Sequence, residues 1–570
     1  EKIMSTGKTL IFSHGAGEIP VSSMQNWRIV ISDDVTASER YAAEEFQKWF
    51  NQATSFALPL ETTEENTNHN EGQVNISASP AMDDEEIHIT VENNQIQICG
   101  GLPRGVLYAV YQFLEELVGI RFLTADHTYI PDASELVIPC GSYTYNPPFS
   151  FRWSYYRENS NAPEFAAKRK VNTVTDAENL GGKTGQQLIN HSFHVLVPYG
   201  TYGESHPEYY ALVDGKRDTN THGGGPQLCV TNPEVIEVAA TTAIQRLTDN
   251  PNVANISVSQ ADTAAYCRCE PCEELNEAEN TPMGSQLTFV NAVAERIEKV
   301  HPNVKVGTLA YWYTRKPPMT VTPRDNVQIQ LCSIECCTLH AIDNPDCEQN
   351  QAFCADTNEW GKMCNDIWIW NYNTNFRSYD LPFPNLRSIG PNVRYFWQNN
   401  AKGVFMQANG NGLTGEFSDL RNYLISRLLW NPHLDDQEIL TEFVELHYES
   451  AAPAILAYIN FLHENVEERN LHPRCFPSPE DVGLDAESAQ QVFDYFQEAL
   501  ALAANSEIQA RVEKASIPVY KAMLVAGGEI APKRRRALIA EYIALCKRYG
   551  LTHTAETQPA EDYFEELHKQ

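Results

Sequence analysis

The chain lacks any uninterrupted apolar run approaching the ~20 residues that cross a bilayer, so no membrane-spanning helix is expected. Basic residues are scarce: 42 Lys and Arg stand against 75 Asp and Glu, a formal net charge of −33. A basic stripe on such a chain could not compete for phosphates, which excludes nucleic acid and disfavours anionic membrane surfaces. A neutral ligand such as a sugar is compatible with that charge. A phosphate-binding fingerprint is also missing. The glycines of Gly100 to Gly105 have neither the GxGxxG spacing nor a following βαβ unit, and a turn that lets helix and sheet pack closely is their expected role. No charged-then-apolar leader precedes Glu1, so a signal peptide has been removed or was never there. Cysteine, by contrast, is plentiful. Fourteen residues, several of them clustered, are many for a reducing cytosol. The expectation is an exported protein, periplasmic or at the cell surface, held there by a lipid anchor outside this sequence or free, with some disulfides. A cytosolic zinc site is the alternative.

With 42% hydrophobic and 21% charged residues the composition is that of a globular protein, and 570 residues suggest two to four domains. The fold class read from the pattern is α/β: a (β/α)8 TIM barrel preceded by a small α/β accessory domain and followed by an α-helical C-terminal domain. The expected boundaries are 1–147, 148–416 and 417–570. In the first part, Arg28 to Ser32 reads as a strand and Ala37 to Phe50 as an amphipathic helix. The polar stretch Glu61 to Glu71 reads as a loop, Ile87 to Cys99 as a hairpin and Val106 to Leu117 as a second helix. Eight strand candidates follow: Phe151 to Tyr156, Lys170 to Val174, Gln227 to Thr231, Asn255 to Gln260, Val304 to Tyr311, Val327 to Ile334, Asp366 to Trp370 and Gly403 to Gln407. Helical stretches lie between several of them, which fits a barrel; a doubly wound sheet is the second choice. Beyond Glu416 only helical periodicity is found: Ser418 to Leu429, Gln437 to Glu468, Ala486 to Ala504, Ser506 to Ala526 and Lys533 to Tyr549.

Barrel enzymes keep their chemistry at the C-terminal tips of the strands. Those tips carry Glu158, Gln260, Asp262, Tyr311, Tyr313, Glu335, Trp370, Asn371 and Asn409. Aromatic faces with two groups flanking a scissile bond are what sugar cleavage needs. Usually both groups are carboxylates, unless a 2-acetamido group on the substrate replaces the nucleophile. Glu335 is the first candidate for general acid, because Cys332, Ile334, Cys336 and Cys337 around it would desolvate it. Strict alternation, however, puts Glu335 on the side of Val327, Ile329 and Leu331, which faces the helices. The role therefore requires a bend near Ser333, and a strand-end Glu paired with an Arg is the competing assignment. Asp262 is the second carboxylate. It pairs with Glu335 across the barrel mouth, acts as acid beside an amide-orienting Gln260, or caps the next segment. Tyr311 and Tyr313 lie opposite Val304 and Val306, hence inward, where a hydroxyl could steady an acetamido group. His191, His194 and the His206 to Glu208 stretch belong to a long insertion, with His194 a candidate for sugar hydroxyls. Cys267, Cys269 and Cys272 are spaced tightly enough for zinc, but no fourth ligand or second CxxC is evident. Disulfides to Cys229 or to Cys336 and Cys337 are the other choice. No metal or cofactor is assigned.

Gly105 to Glu115 (GVLYAVYQFLE) with Gly119 to Leu123 (GIRFL) resembles the accessory domain that precedes the barrel in β-hexosaminidases and α-glucuronidases. His206 to Tyr210 (HPEYY), Leu228 to Pro233 (LCVTNP), the CxCxxC, Pro382 to Leu386 (PFPNL), Leu420 to Leu424 (LRNYL) and Leu428 to Pro432 (LLWNP) resemble the DUF4838 domain, which characterises glycoside hydrolase family 163. The resemblance runs from about residue 25 to 460. It implies an endo-β-N-acetylglucosaminidase of gut-type bacteria that cuts the GlcNAc–GlcNAc core of complex N-glycans with retention, through the substrate's own acetamido group. Its partner would be such a glycan or a related GlcNAc-containing one. Two further readings remain: an exo-acting or inverting hydrolase similar to α-glucuronidases, and a glycan-binding barrel without chemistry. No motif encodes branching preference or oligomeric state.

Overall fold

The computed structural model describes residues 13–65 and 71–569. Glu1 and residues 66–70 of the polar stretch expected as a loop lie outside the described residues. A mixed seven-stranded sheet comes first: β1 (Ser13–Pro20), β2 (Arg28–Ile31), β3 (Leu60–Thr62), β4 (Gln73–Ala78), β5 (Ile87–Glu92), β6 (Gln95–Gly100) and β7 (Val137–Tyr145), in the order β1-β7-β5-β6-β4-β2-β3. Helix α1 (Ala37–Thr54) begins where Thr36 and Glu39 exchange side-chain and backbone hydrogen bonds, a capping box, and ends on Ser55 at φ 65°. Its buried stripe of Ala42, Phe46, Trp49 and Phe50 and the wholly buried α2 (Gly105–Phe113) share a core with this sheet.

The second sheet is all parallel and curled: β8 (Phe151–Ser154), β9 (Asn255–Ser257), β10 (Lys305–Ala310), β11 (Val327–Cys332), β12 (Ile367–Tyr372) and β13 (Gly403–Gln407), in the order β8-β13-β12-β11-β10-β9. The main helices along this stretch are α3 (Pro233–Asp249), α4 (Glu270–Glu279), α5 (Met283–Glu298), α6 (Glu348–Met363) and α7 (Leu386–Gln398). Alternation sorts the side chains. Val327, Ile329, Leu331, Ile367, Ile369, Val404 and Met406 face the helices, while Phe151, Leu309, Cys332, Trp368 and Phe405 fill the inside of the curl.

The expected eight-stranded ring is not formed among the described residues; six strands make a half-barrel. Lys170 to Val174 is not a strand: Lys170 sits at φ 58°, and Arg152 and Asn172 side chains take bonds that a ladder would have used. Gln227 to Thr231 makes one isolated bridge, Tyr210 to Leu228, before turning into α3. The gap between β8 and β9 is instead lined by irregular chain around residues 185–192. Asn255 Oδ1 accepts from the Gln187 N–H at 2.6 Å, Ser257 Oγ from the Asn190 N–H at 2.9 Å, and Ile189 enters the inner core.

The helices that follow are α8 (Ser418–Trp430), α9 (Asp436–Tyr448), α10 (Ala452–Arg469), α11 (Ala486–Leu502), α12 (Ser506–Ala526), α13 (Pro532–Tyr549) and α14 (Ala560–His568). The single helix expected over Gln437 to Glu468 is two, broken at Glu449 (φ 44°) with Pro453 in the first turn of the second. Nor is this region helices only: a small hairpin, β14 (His553–Ala555) and β15 (Gln558–Pro559), precedes α14. These helices share one apolar core with the half-barrel. Buried Asp380, beyond β12, adds an ion pair to Lys521 at 3.4 Å and accepts the Tyr542 hydroxyl.

Buried charge joins the first sheet to the half-barrel. Glu85 accepts from Arg104 at 2.8 Å and Arg152 at 2.6 Å, and Glu115 from Lys170 at 3.0 Å. Burial pushes both carboxyls up, but the surrounding cations overcome it. Arg152 and Arg104 hold Glu85 below the usual range, and Lys170, Arg169 and Arg427 hold Glu115 at about 2.

Candidate functional site

A cleft of about 250 Å³ opens at the C-terminal ends of the parallel strands. Inward positions near the ends of β12 and β13 supply Trp370, Tyr372 and Gln407, and Tyr311 follows β10 directly. Phe376 and Phe476 complete an aromatic wall. Gln407 Oε1 accepts from Trp370 Nε1 at 2.7 Å, and the Phe405 ring packs edge-on against the indole at 4.7 Å, so the indole is fixed before any ligand arrives.

The polar side is Asp262, His191, Tyr311 and Glu556. Tyr311 donates its hydroxyl to Asp262 Oδ1 at 3.0 Å, and His191 Nε2 stands 4.0 Å from the same oxygen. His191 Nδ1 lies 2.6 Å from the Gln260 carbonyl, which can only accept; Nδ1 therefore carries the hydrogen and Nε2 is the nitrogen turned to Asp262. The Asp262 side chain is 51% exposed and open to a ligand. Glu556 arrives from far along the chain, in the turn between β14 and β15. Burial, and then the charge of Asp262, raises its carboxyl above the ordinary range. Burial likewise pushes the Tyr311 and Tyr372 phenols up, so both are hydrogen donors at any physiological pH.

The remaining expected residues are elsewhere. Glu335 lies outside the cleft: after β11 the chain turns, with the Cys336 N–H donating to the Ser333 carbonyl at 2.9 Å. The turn sends Ile334 into the cleft and Glu335 outward, 28% exposed, to Arg315 at 3.4 Å. Arg315 also holds Asp356 of α6 at 2.7 Å, so Glu335 belongs to the helix side that alternation indicated. Gln260 is buried and saturated. Its amide donates to Leu309 O and Thr314 Oγ1 and accepts from Ser259 Oγ, leaving nothing for a ligand. Glu158 is buried against Asn422 and the Ala125 N–H, away from the cleft, and burial together with the charge of Asp419 pushes it up to about 8. Asn371 faces the helices and accepts from Ser333 Oγ; Asn409 shapes a loop by accepting from Asn411 and Gly412 N–H groups. His194 is exposed outside the cleft, and Tyr313 stacks on Tyr266 at 4.8 Å beside it. Asp262, Tyr311 and Trp370 are thus brought together. Tyr372 and Gln407 were legible as strand ends and His191 from the insertion, whereas Phe376, Phe476 and Glu556 had no sequence signal.

A second cavity, about 370 Å³, lies between the Gln187 to Ser192 segment and α3, but no carboxylate lines it. The Cys267 to Cys272 loop follows Asp262, and Cys229 is the fourth thiol beside it. Cys229 and Cys269 sulfurs are 3.7 Å apart, far beyond a ~2.05 Å disulfide, and Cys336 and Cys337 belong to another part of the fold.

The family described as "Domain of unknown function (DUF4838)" matches residues 122–460. No curated protein matches the chain. Among solved structures the chain is similar to a GH138 enzyme targeting pectin rhamnogalacturonan II, at 9% identity over 95% of this chain and 98% of that one, with a TM-score of 0.48. It is similar to a β-N-acetylhexosaminidase from Bacteroides fragilis NCTC 9343, at 11% identity over 76% and 90% of the two chains, TM-score 0.42. A GH20 β-N-acetylhexosaminidase from Streptomyces coelicolor A3(2) stands at 12% identity, 75% and 91% coverage and TM-score 0.42.

Proposed function

The chain belongs to the DUF4838 family, and from that premise we propose that it is a glycoside hydrolase, specifically a retaining endo-β-N-acetylglucosaminidase that cuts the GlcNAc–GlcNAc core of complex N-glycans. The observation that carries the reading is the pairing of Asp262 with Glu556 in one aromatic-walled cleft at the strand ends. A carboxyl whose hold on its proton is strengthened, set beside a second carboxyl group, is an arrangement glycosidic cleavage uses.

Glu556, whose hold on its proton is strengthened by burial and then by the charge of Asp262, is the donor to the leaving oxygen. Asp262, steadied by the Tyr311 hydroxyl, accepts the acetamido N–H and balances the positive charge that develops as the acetamido oxygen bonds to C1. The C1–O bond to the leaving sugar breaks in that step, and its oxygen takes the Glu556 proton. Water then adds to C1, returns a proton to Glu556 and reopens the acetamido ring, with net retention. Trp370, Tyr372, Phe376 and Phe476 offer their faces to the C–H surfaces of the sugars. An N-glycan substrate goes with an exported enzyme, since such glycans sit on secreted glycoproteins.

The decisive experiment is incubation with a complex-type glycoprotein and mass spectrometry of the products. One GlcNAc left on Asn supports the reading, and an untouched glycan with bound protein overturns it in favour of a binding role. The same two carboxylates also fit a hydrolase that uses a protein nucleophile. A stable analogue of the bicyclic acetamido intermediate separates the two: tight inhibition belongs to the substrate-assisted route alone.

A further inference from the structure

Two clusters of soft ligands stand outside the catalytic groups. The first gathers Cys337 and His340 from the loop after β11, Cys347 at the N-terminus of α6, and His472 from the chain beyond α10. The second gathers Cys229, Cys267, Cys269 and Cys272. In each, the four ligand atoms lie within 4.8 Å of one another.

We propose that each cluster is a structural zinc site, held by two thiolates and two imidazoles in the first and by four thiolates in the second. Tetrahedral zinc with Zn–S of about 2.3 Å and Zn–N of about 2.0 Å has edges of about 3.8 Å between sulfurs and about 3.5 Å between sulfur and nitrogen. The Cys229 and Cys269 sulfurs are 3.7 Å apart. In the other cluster Cys337 Sγ is 3.3 Å from His340 Nδ1, and Cys347 Sγ 3.2 Å from His472 Nδ1. The surroundings suit metal-bound ligands as well. His472 Nε2 donates to Asn470 Oδ1 at 3.2 Å, which leaves Nδ1 without hydrogen and free to coordinate. Thr231 Oγ1 lies 3.2 Å from Cys272 Sγ, and the Leu212 N–H donates to Cys267 Sγ at 3.3 Å, contacts that fix the two sulfurs in place. Cys347 and Cys269 each stand at the N-cap of a helix, which anchors their backbones. All fourteen cysteines are unpaired, so no disulfide competes for these sulfurs.

Each site would pin a wall of the cleft. The ion shared by thiolates and imidazoles joins the loop bearing Ile334 to the segment bearing Phe476, already tied by the Thr338 N–H to the Pro473 carbonyl at 2.9 Å. The four-thiolate ion braces the loop that leaves Asp262. Neither cluster presents a free position to the cleft lining, so the role is holding, not chemistry.

The test is the metal content of the full chain purified without chelator. Two zinc ions per chain are expected, one lost in Cys337→Ser and in His472→Ala, the other in Cys272→Ser. Should those variants fail to fold, cobalt replaces zinc in the unaltered protein: intense tetrahedral bands with thiolate charge transfer at two equivalents support the sites. Less than one zinc with all thiols free, a mass lower by the hydrogens of disulfides joining these cysteines, or zinc content indifferent to the substitutions overturns the proposal.

Discussion

Tyr311 and Asp262 are joined by a 3.0 Å hydrogen bond in which the phenol can only donate, because burial keeps its hydrogen in place. One lone pair of the carboxylate is thereby spoken for and its orientation set, while half of the side chain stays open to the cleft. Removing the charge and removing the orientation are therefore separable operations.

Asp262→Asn keeps the shape and loses the charge. Turnover of a complex N-glycan is expected to fall by about 10² or more, the scale of a positioned acid–base group. Tyr311→Phe should cost less, about tenfold, and chiefly in kcat. Initial rates with both variants check the order; a Tyr311→Phe defect larger than that of Asp262→Asn contradicts the assignment.

Glu556→Gln is expected to lower turnover by about 10² or more on the natural glycan, and far less on an aryl glycoside, whose leaving group departs without a proton. Equal losses on both substrates would remove Glu556 as the acid. In the unaltered enzyme, activity should decline on the alkaline side as Glu556 gives up its proton.

Glu335→Gln should leave kcat within a factor of two or three. The side chain only exchanges one partially exposed ion pair with Arg315, an interaction of about 0–1 kcal/mol. A large loss of turnover with intact folding would return Glu335 to the catalytic machinery.

Arg152→Met leaves the buried Glu85 with Arg104 as its close cation and the Asn172 amide as a neutral donor, and is expected to cost about 3–5 kcal/mol in chemical denaturation at pH 7. Replacing Arg152 and Glu85 together by apolar residues should recover part of it.

Two buried glutamates should act on stability with opposite sign. Glu115, held at about 2 against 4.5 unfolded, stabilises fully above pH 4.5 and loses that contribution as pH falls towards 2. Glu158, pushed up to about 8 by burial and Asp419, contributes most below pH 4.5 and loses it as pH rises to about 8. Denaturation midpoints from pH 3 to 9 should show Glu115→Gln flattening the acid side and Glu158→Gln flattening the neutral-to-alkaline side.

The parts of the fold visible in the sequence are those with their own period. The run Ser506 to Ala526 is the helix α12 to the residue, and six apolar strands stand where their runs do. Lys170 to Val174 misled because a short β-branched run says nothing about a left-handed residue at its start or about a neighbouring arginine taking its bonds. The alternation of Val327 to Cys332 already placed Glu335 on the helix side; proximity to a strand tip outweighed a period that proved the better guide. Glu556 could not be read at all. Its hairpin strands of three and two residues are shorter than any pattern, and only the docking of the last helices brings it over the cleft.

That arrival from a separate segment has a bearing on folding. Both sheets pair their strands without the Glu556 hairpin, so the cleft can form before that carboxyl is seated over it. On the proposed reading, a chain caught at that stage would hold a sugar with no proton donor above it, and turnover would wait for the hairpin to settle.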